Sequence, residues 1–313
     1  MNEVSTRSLP RRSWRTLLTR TAAKFAADNL SDRAAALTYY GVLSIFPGLL
    51  VLVATLRLFG PDTAQTVVNN VTGLAPGQAG DIINSAVETL SQSSQGGAIA
   101  LVVIGVLGSL WSASGYVGAF MRAANAIYEV PEGRPFLAKL PVRVGLTVFA
   151  GVLLVTSSFM VIFTGEAARN VGTALGLGSS VAKVWDIAKW PVLLVIVSLL
   201  FAVLYWAAPN AKVGKFRWLT PGGLIAVLIW LIASAGFALY VANFGSYNRV
   251  YGTLASVIVF LIWLWISNLA ILFGAEFDAE LVRERAEAAG TVRAGDRFVE
   301  LRDSRKLPKP VQQ

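Results

Sequence analysis

The sequence predicts an all-α, polytopic membrane protein: a bundle of six transmembrane helices with both ends of the chain on the cytoplasmic side. Three observations carry this. The 313 residues are 55% apolar and only 14% charged, against roughly 25% charged in an ordinary soluble domain, and the mean hydropathy is +0.60. The charges gather at the two ends and in short clusters, leaving six long runs without Lys, Arg, Asp or Glu. The basic residues are divided unevenly between the connections.

A helix rises 1.5 Å per residue, so about 20 apolar residues cross a hydrocarbon core ~30 Å thick. The runs that qualify are 34–56, 97–120, 144–165, 190–208, 221–242 and 252–275. A lone segment in lipid must satisfy every N–H and C=O internally, which makes each run a helix. A charged stretch of 33 residues precedes the first run, whose apolar length is also too great for a cleavable signal. Residues 1–33, 121–143, 209–220 and the segment after Ala275 together hold 22 Lys and Arg, and the alternate connections hold 5. Counting only the 20 residues beside each terminal run leaves 14 against 5. The basic side is the cytoplasmic one. The net charge of +9 is therefore read as a topology marker and as affinity for anionic lipid on the cytoplasmic face, and no nucleic-acid partner is expected.

Outside the runs, Trp14, Leu17, Leu18, Ala22 and Phe25 recur at helical spacing with Arg12, Arg15 and Arg20 on other faces. Residues 1–33 are read as a cytoplasmic amphipathic segment, either lying on the leaflet or forming a solvated lead-in anchored by Trp14. The connection 57–96 reads as an external helical loop, two short helical stretches around Gly73 and Pro76. After the last run, residues 276–313 read as a helix extension stopped at Gly290, followed by a disordered tail from Thr291 to Gln313 containing Pro308 and Pro310.

The chain has no Cys and no His. Disulfides, thiolate nucleophiles, imidazole catalysis and Cys/His metal sites are excluded with them. In the first run, Thr38, Tyr39, Tyr40 and Ser44 precede Pro47. Two readings stand: the hydroxyls bond back to their own helix and Pro47 only kinks it, or this is a broken, polar-lined helix at a substrate path. The second run carries small residues at spacing four, Gly105, Ser109 and Ala113, with Gly108 and Ser112 alongside. They suit close helix packing within the monomer or in a homo-oligomer. Trp111 and Ser114 are harder to dismiss, because a Trp at depth needs an N–H partner. Asn268 is the most polar side chain within any run and should find a partner on another helix. Asn243 to Gly252, short, aromatic and glycine-rich, suits a tight external turn or a partly re-entrant segment. At the cytoplasmic edge lie Asp32, Arg33, Arg122, Asn125 and Glu276, of which Asp32 and Arg33 suit a pair or a cap.

Several strings together resemble the YihY/virulence factor BrkB family, also labelled ribonuclease BN. They are Asp32 to Tyr40 with Ser44-Ile45-Phe46-Pro47, Leu110-Trp111-Ser112-Ala113-Ser114-Gly115, Ala123 to Tyr128, Leu204 to Asn210, Tyr251 to Leu254, Trp263-Leu264-Trp265 and Leu272 to Glu276. The resemblance implies a multi-pass protein of the bacterial inner membrane. A hydrolytic nuclease needs a metal or an acid–base cluster, and without His the candidates are Asp and Glu, nearly all outside the bundle. No enzyme activity, catalytic residue, metal or cofactor is expected. The expected function is a transporter or exporter with a neutral polar path between the first, second and sixth runs, lined by Thr38, Tyr39, Tyr40, Ser44, Pro47, Trp111, Ser112, Ser114 and Asn268. The alternative is an envelope scaffold whose termini recruit partners. A membrane-bound ribonuclease is the third reading.

Overall fold

The computed structural model describes residues 11–57, 95–162, 178–243, 253–293 and 296–308. Through them run α1 (Arg11–Ala27), α2 (Leu30–Arg57), α3 (Gln95–Ile127), α4 (Phe136–Ile162), α5 (Gly178–Ala207), α6 (Pro221–Asn243) and α7 (Thr253–Ala288). No strand occurs among the described residues, where the only β pairing is an isolated antiparallel bridge between Ala211 and Leu301. The described part of each predicted run falls on one helix from α2 to α7, except Ala208, one residue past the end of α5. Among the described residues, four stretches are long and apolar enough to cross a membrane: Phe136–Val161, Ile187–Ala207, Pro221–Tyr240 and Val257–Ala288. The external loop 57–96 and the segment Asn243 to Gly252 lie almost wholly outside the described residues.

Side-chain placement follows a membrane logic. Large apolar side chains such as Val152, Leu154, Ile187, Val195, Ile232 and Leu239 point outward from α4, α5 and α6, which in water would be a large apolar patch and in lipid is the solvated face. The closely packed core, with Phe120, Ile127, Leu204, Ala208 and Leu272, lies toward the end where α3 stops and α4 begins. Local chemistry fixes the helix ends there. Pro221 opens α6 at a position where its missing N–H costs nothing. Thr220 Oγ1 accepts from Gly223 N–H at 3.0 Å, and Asp278 of α7 accepts from Gly222 N–H at 2.7 Å, so two oxygens cap the α6 N-terminus. At that crossing a Cβ on Gly222 would lie 2.0 Å from the Gly274 carbonyl, so both helices need glycine there.

α7 has 36 residues, about 54 Å at the helical rise, far more than a bilayer core requires. Its surplus turns carry α1. Leu17 is buried against Phe277 and Leu281, Trp14 stacks on Phe277, and Thr21 is buried beside them. The N-terminal helix therefore directs part of its apolar stripe onto α7, while Trp14 and Leu18 remain exposed. The helix extension ends as expected at Gly290, which has φ +66°. Gly290 N–H bonds to Glu287 O and Thr291 N–H to Ala286 O, the paired bonds of a Schellman stop.

One expectation is overturned. Within the tail expected to be disordered, the stretch from Phe298 to Lys306 is docked. Phe298 and Val299 are buried, Lys212 N–H donates to Glu300 O, Arg302 N–H to Asn210 O and Lys306 N–H to Gly133 O. The physical reason is that the tail completes backbone groups of the α3–α4 and α5–α6 connections and adds two buried apolar side chains. Residues 309–313 lie outside the described residues.

Candidate functional site

The strongest polar constellation in the helices joins α2, α3 and α7. Tyr116 OH on α3 donates to Asn268 Oδ1 on α7 at 2.9 Å. The Asn268 amide donates to Thr38 Oγ1 on α2 at 3.1 Å, and that hydroxyl donates to Ala34 O at 2.8 Å. Asn268 is 1% exposed, so its amide ties three helices together, as a buried amide in lipid must. Tyr116, which the sequence reading passed over, is its partner.

The residues expected to line a path separate into three groups. Thr38, Ser114 and Asn268 are buried. The hydroxyls of Thr38, Ser44 and Ser114 bond back to Ala34 O, Gly41 O and Trp111 O on their own helices. Tyr40, Ser44 and Ser112 are half-buried, and Ser112 Oγ crosses to Leu43 O of α2 at 2.8 Å. Tyr39 and Trp111 face outward, 61% and 75% exposed. Among the described side chains, these residues thus form a seam between α2 and α3, buried toward α7 and exposed on the opposite face. Trp111 departs from the expectation of a buried indole because lipid, unlike water, solvates its ring. Pro47 lies within α2, and its side chain is outside the described set.

Of the small residues of α3 expected to allow close packing, Gly105 and Ser109 lie outside the described side chains. A Cβ on Gly108 would meet nothing within 4 Å. The close approaches come at Gly115, where a Cβ would lie 3.0 Å from the Tyr40 ring, and at Gly118, where it would lie 3.2 Å from Arg143 Nε.

The residues expected at the cytoplasmic edge have separate partners. Asp32 is exposed in the first turn of α2, where the helix dipole favours it. Arg33 donates to Asp28 O at 3.1 Å instead of pairing with Asp32. Arg122 lies over the Tyr40 ring. Asn125 accepts from Asn210 N–H at 2.7 Å and donates to Glu132 at 3.0 Å. Glu276 is 1% exposed, and neither carboxyl oxygen has a hydrogen-bond partner. The charges that act on it belong to Asp28, Glu280, Lys24 and Arg283. Ionised and unpartnered, such a carboxyl is costly.

Two further constellations escaped the sequence reading. Asn210 donates its amide to Pro131 O and Asp303 O and receives Asp303 N–H. Beside it Arg134 is buried, forked onto Glu132 and bonded to Ala208 O. Glu129 has φ +52° and stands where a helix-ending glycine would be usual, with Glu129 N–H bonded to Ala126 O and Val130 N–H to Asn125 O. Its carboxylate pairs with Lys24 of α1 and, at 2.7 Å, with Arg283 of α7. Burial raises the Glu129 carboxyl, but these two cations outweigh it and hold the group below its ordinary range, while the bond to Glu129 pushes Lys24 up. Arg283 also stacks over Phe298 of the tail, so one carboxylate knits α1, α3, α7 and the tail. The motif strings gave only the positions of Asn125 and Asn210, and nothing in the spacing announced that they touch. Among the described residues no three carboxylates are arranged to hold a metal ion.

An all-helical bundle with an apolar exterior, polar ties between its helices and charges at one end is a polytopic membrane protein. The chain belongs to the virulence factor BrkB family, whose sequence model matches residues 21–296. It is 28% identical over 263 residues to YfkH of Bacillus subtilis, named a ribonuclease-like protein, covering 84% of this chain and 94% of that one. It is 31% identical over 290 residues to a UPF0761 membrane protein of Alkalilimnicola ehrlichii, covering 87% of this chain and 60% of that one. A UPF0761 membrane protein of Ralstonia nicotianae is 33% identical over 266 residues, with 81% of this chain and 56% of that one covered. This chain thus spans little more than half the length of the last two relatives. No solved structure matches it.

Proposed function

We propose that the protein is a non-enzymatic transporter or exporter of the bacterial cytoplasmic membrane, with six spans and both termini cytoplasmic, that moves a lipid-like cargo along the α2–α3 seam. The observation that carries this reading is the sidedness of the seam. Half-buried Tyr40, Ser44 and Ser112 offer neutral polar groups, and exposed Tyr39 and Trp111 flank them on the outward face. A polar headgroup can follow such a seam while its chains stay in lipid. The buried Glu276 at the far end of the three-helix tie adds support, because an unpartnered carboxyl at the edge of a span is expensive and is retained for a purpose. It is the natural seat for a coupling proton or cation.

The non-enzymatic part of the reading rests on the acids. Asp278, one of the few carboxylates near the bundle, is committed to capping α6, and Glu276 is out of reach of a solvated phosphodiester. The ribonuclease-like name belongs to the Bacillus relative. The scaffold alternative, with free termini as docking surfaces, is disfavoured by the bound tail.

Reconstitution tests the proposal. The full chain is placed in liposomes containing a fluorescent nitrobenzoxadiazole-labelled phosphatidylglycerol, and dithionite bleaches the outer leaflet. Translocation of inner-leaflet probe well above that of protein-free liposomes is expected. A rate equal to that of the empty liposomes overturns the proposal.

A further inference from the structure

Tyr40 of α2 and Arg143 of α4 both lie on one face of α3. Gly115 and Gly118 make room for them, since a Cβ at either position would press on the Tyr40 ring or on the Arg143 guanidinium. Residues 115, 118 and 122 stand three and four apart and so share a helix face. Arg122, one turn beyond Gly118, holds its guanidinium 5.7 Å from the centre of the same Tyr40 ring. Arg143 Nε donates to Ser114 O at 2.5 Å. That bond fixes the guanidinium against α3 and leaves its other N–H groups undirected.

One guanidinium thus lies over the Tyr40 ring and the second is close enough to feel the charge of both, and among the described residues no carboxylate pairs with either. The titratable groups that act on Arg143 are Arg122 and Tyr40. Among the described residues, neither arginine forms an ion pair, although Glu129, Glu132, Glu280 and Asp303 at this end of the bundle all have cationic partners. Like charges held together without a counter-charge repel, and an anion placed between them relieves that repulsion. Guanidinium forks match phosphate oxygens in geometry as well as in charge. Depth narrows the class of anion. Arg122 lies two residues past the uncharged run 97–120, and Arg143 immediately precedes the run 144–165, so both stand where headgroups lie. Arg122 is exposed and Arg143 half-exposed, so a ligand can reach them from the side.

The geometry points to a phosphate-binding seat formed by Arg122, Arg143 and the Tyr40 hydroxyl, which takes the headgroup phosphate of an anionic lipid from the leaflet at this end of the bundle. The seat is a binding site in its own right and does not depend on transport. Where transport occurs, the site stands at the mouth of the α2–α3 seam and selects cargo by its phosphate.

The test uses the full chain in detergent, titrated by native mass spectrometry with dihexanoyl phosphatidylglycerol, with dihexanoylglycerol of the same chain length, and with inorganic phosphate. The wild type should prefer the phosphatidylglycerol over the uncharged lipid by at least tenfold. Arg122→Gln, which among the described residues removes a side chain held over the Tyr40 ring, should abolish most of that preference, and so should Arg143→Gln. Arg122→Lys should keep part of it, and Lys212→Gln, which alters a lysine paired with Glu300, all of it. Equal binding of the two lipids by the wild type, or an undiminished preference in Arg122→Gln, overturns the site. Inorganic phosphate bound as tightly as phosphatidylglycerol overturns its assignment to lipid. The readout is occupancy, so it fails or succeeds independently of the translocation assay.

Discussion

Asn210 and Asp303 close on each other in both directions: the Asn210 amide donates to the Asp303 carbonyl at 2.8 Å, and Asp303 N–H donates back to the Asn210 side-chain oxygen at 3.1 Å. An asparagine that mimics a strand edge in this way holds a passing segment by its backbone, whatever side chains that segment carries. The tail is bound here and again at Gly133, where a Cβ would lie 2.1 Å from the Asp303 carbonyl. Gly133→Ala and Asn210→Ala should each release it. Limited trypsin digestion should cut after Arg302 at least tenfold faster in either variant than in the wild type, because cleavage needs local opening. Equal rates would mean that the tail is not held by these contacts.

The same junction should respond to acid. Burial alone raises the Glu132 carboxyl, but the bonds and charge of Arg134, with the Asn125 amide, hold it below the ordinary value of 4.5. A carboxyl with a depressed folded pKa contributes stability that is complete above the unfolded value and is lost as pH falls through the folded one. The tail should therefore stay docked down to pH 4.5 and loosen below it. Asp303, held down to about 2 by its bonds to Arg305, titrates later. The chain has no cysteine, so a fluorophore on Ser304→Cys reports only this segment. Its anisotropy should fall below pH 4.5 in the wild type, whereas Glu132→Gln should be loosened throughout and lack that step. Identical profiles would remove Glu132 from the account.

The tie through Asn268 should be measurable as a coupling. Hydrogen bonds between membrane helices contribute about 0.6 kcal/mol on average and up to about 1.7. Asn268→Ala and Tyr116→Phe, alone and together, should give a coupling energy of about 1 kcal/mol in reversible detergent unfolding. A value indistinguishable from zero would mean that Tyr116 and Asn268 do not share a bond in the folded protein.

How much of this the sequence discloses depends on the range of the interaction. The six uncharged runs mark the helices because lipid imposes its rule on each segment separately, and Gly290 marks the α7 stop because a Schellman turn is local. That Asn268 needs a partner is legible, since a buried amide has no alternative. That the partners are Thr38 and Tyr116 is not, because helix rotation decides it. The tail misleads for the same reason. Its composition is that of a disordered segment, and what orders it is the Asn210 side chain and the Gly133 backbone, far away along the chain. Trp111 misleads differently: an indole in a span needs an N–H partner only when it is buried, and this ring faces outward.

Glu129 offers a test of backbone against ion pair. A non-glycine residue at positive φ costs about 1 kcal/mol, and Glu129 at φ +52° is held by Lys24 and Arg283. Glu129→Gln keeps the strained backbone and loses the charge, while Glu129→Gly loses both strain and charge. The glycine variant should therefore be more stable than the glutamine variant by about 1 kcal/mol. The reverse order in thermal unfolding would show that this turn carries no strain.

If cargo moves along the outward seam of α2 and α3, as proposed, the exposed aromatics Tyr39 and Trp111 that flank it are the decisive residues. In liposomes with labelled phosphatidylglycerol, the double variant Tyr39→Ala/Trp111→Ala should slow translocation at least fivefold. Leu154→Ala, equally outward but on α4, should leave it unchanged. Wild-type rates in the double variant, or an equal loss in Leu154→Ala, would contradict the seam as the route.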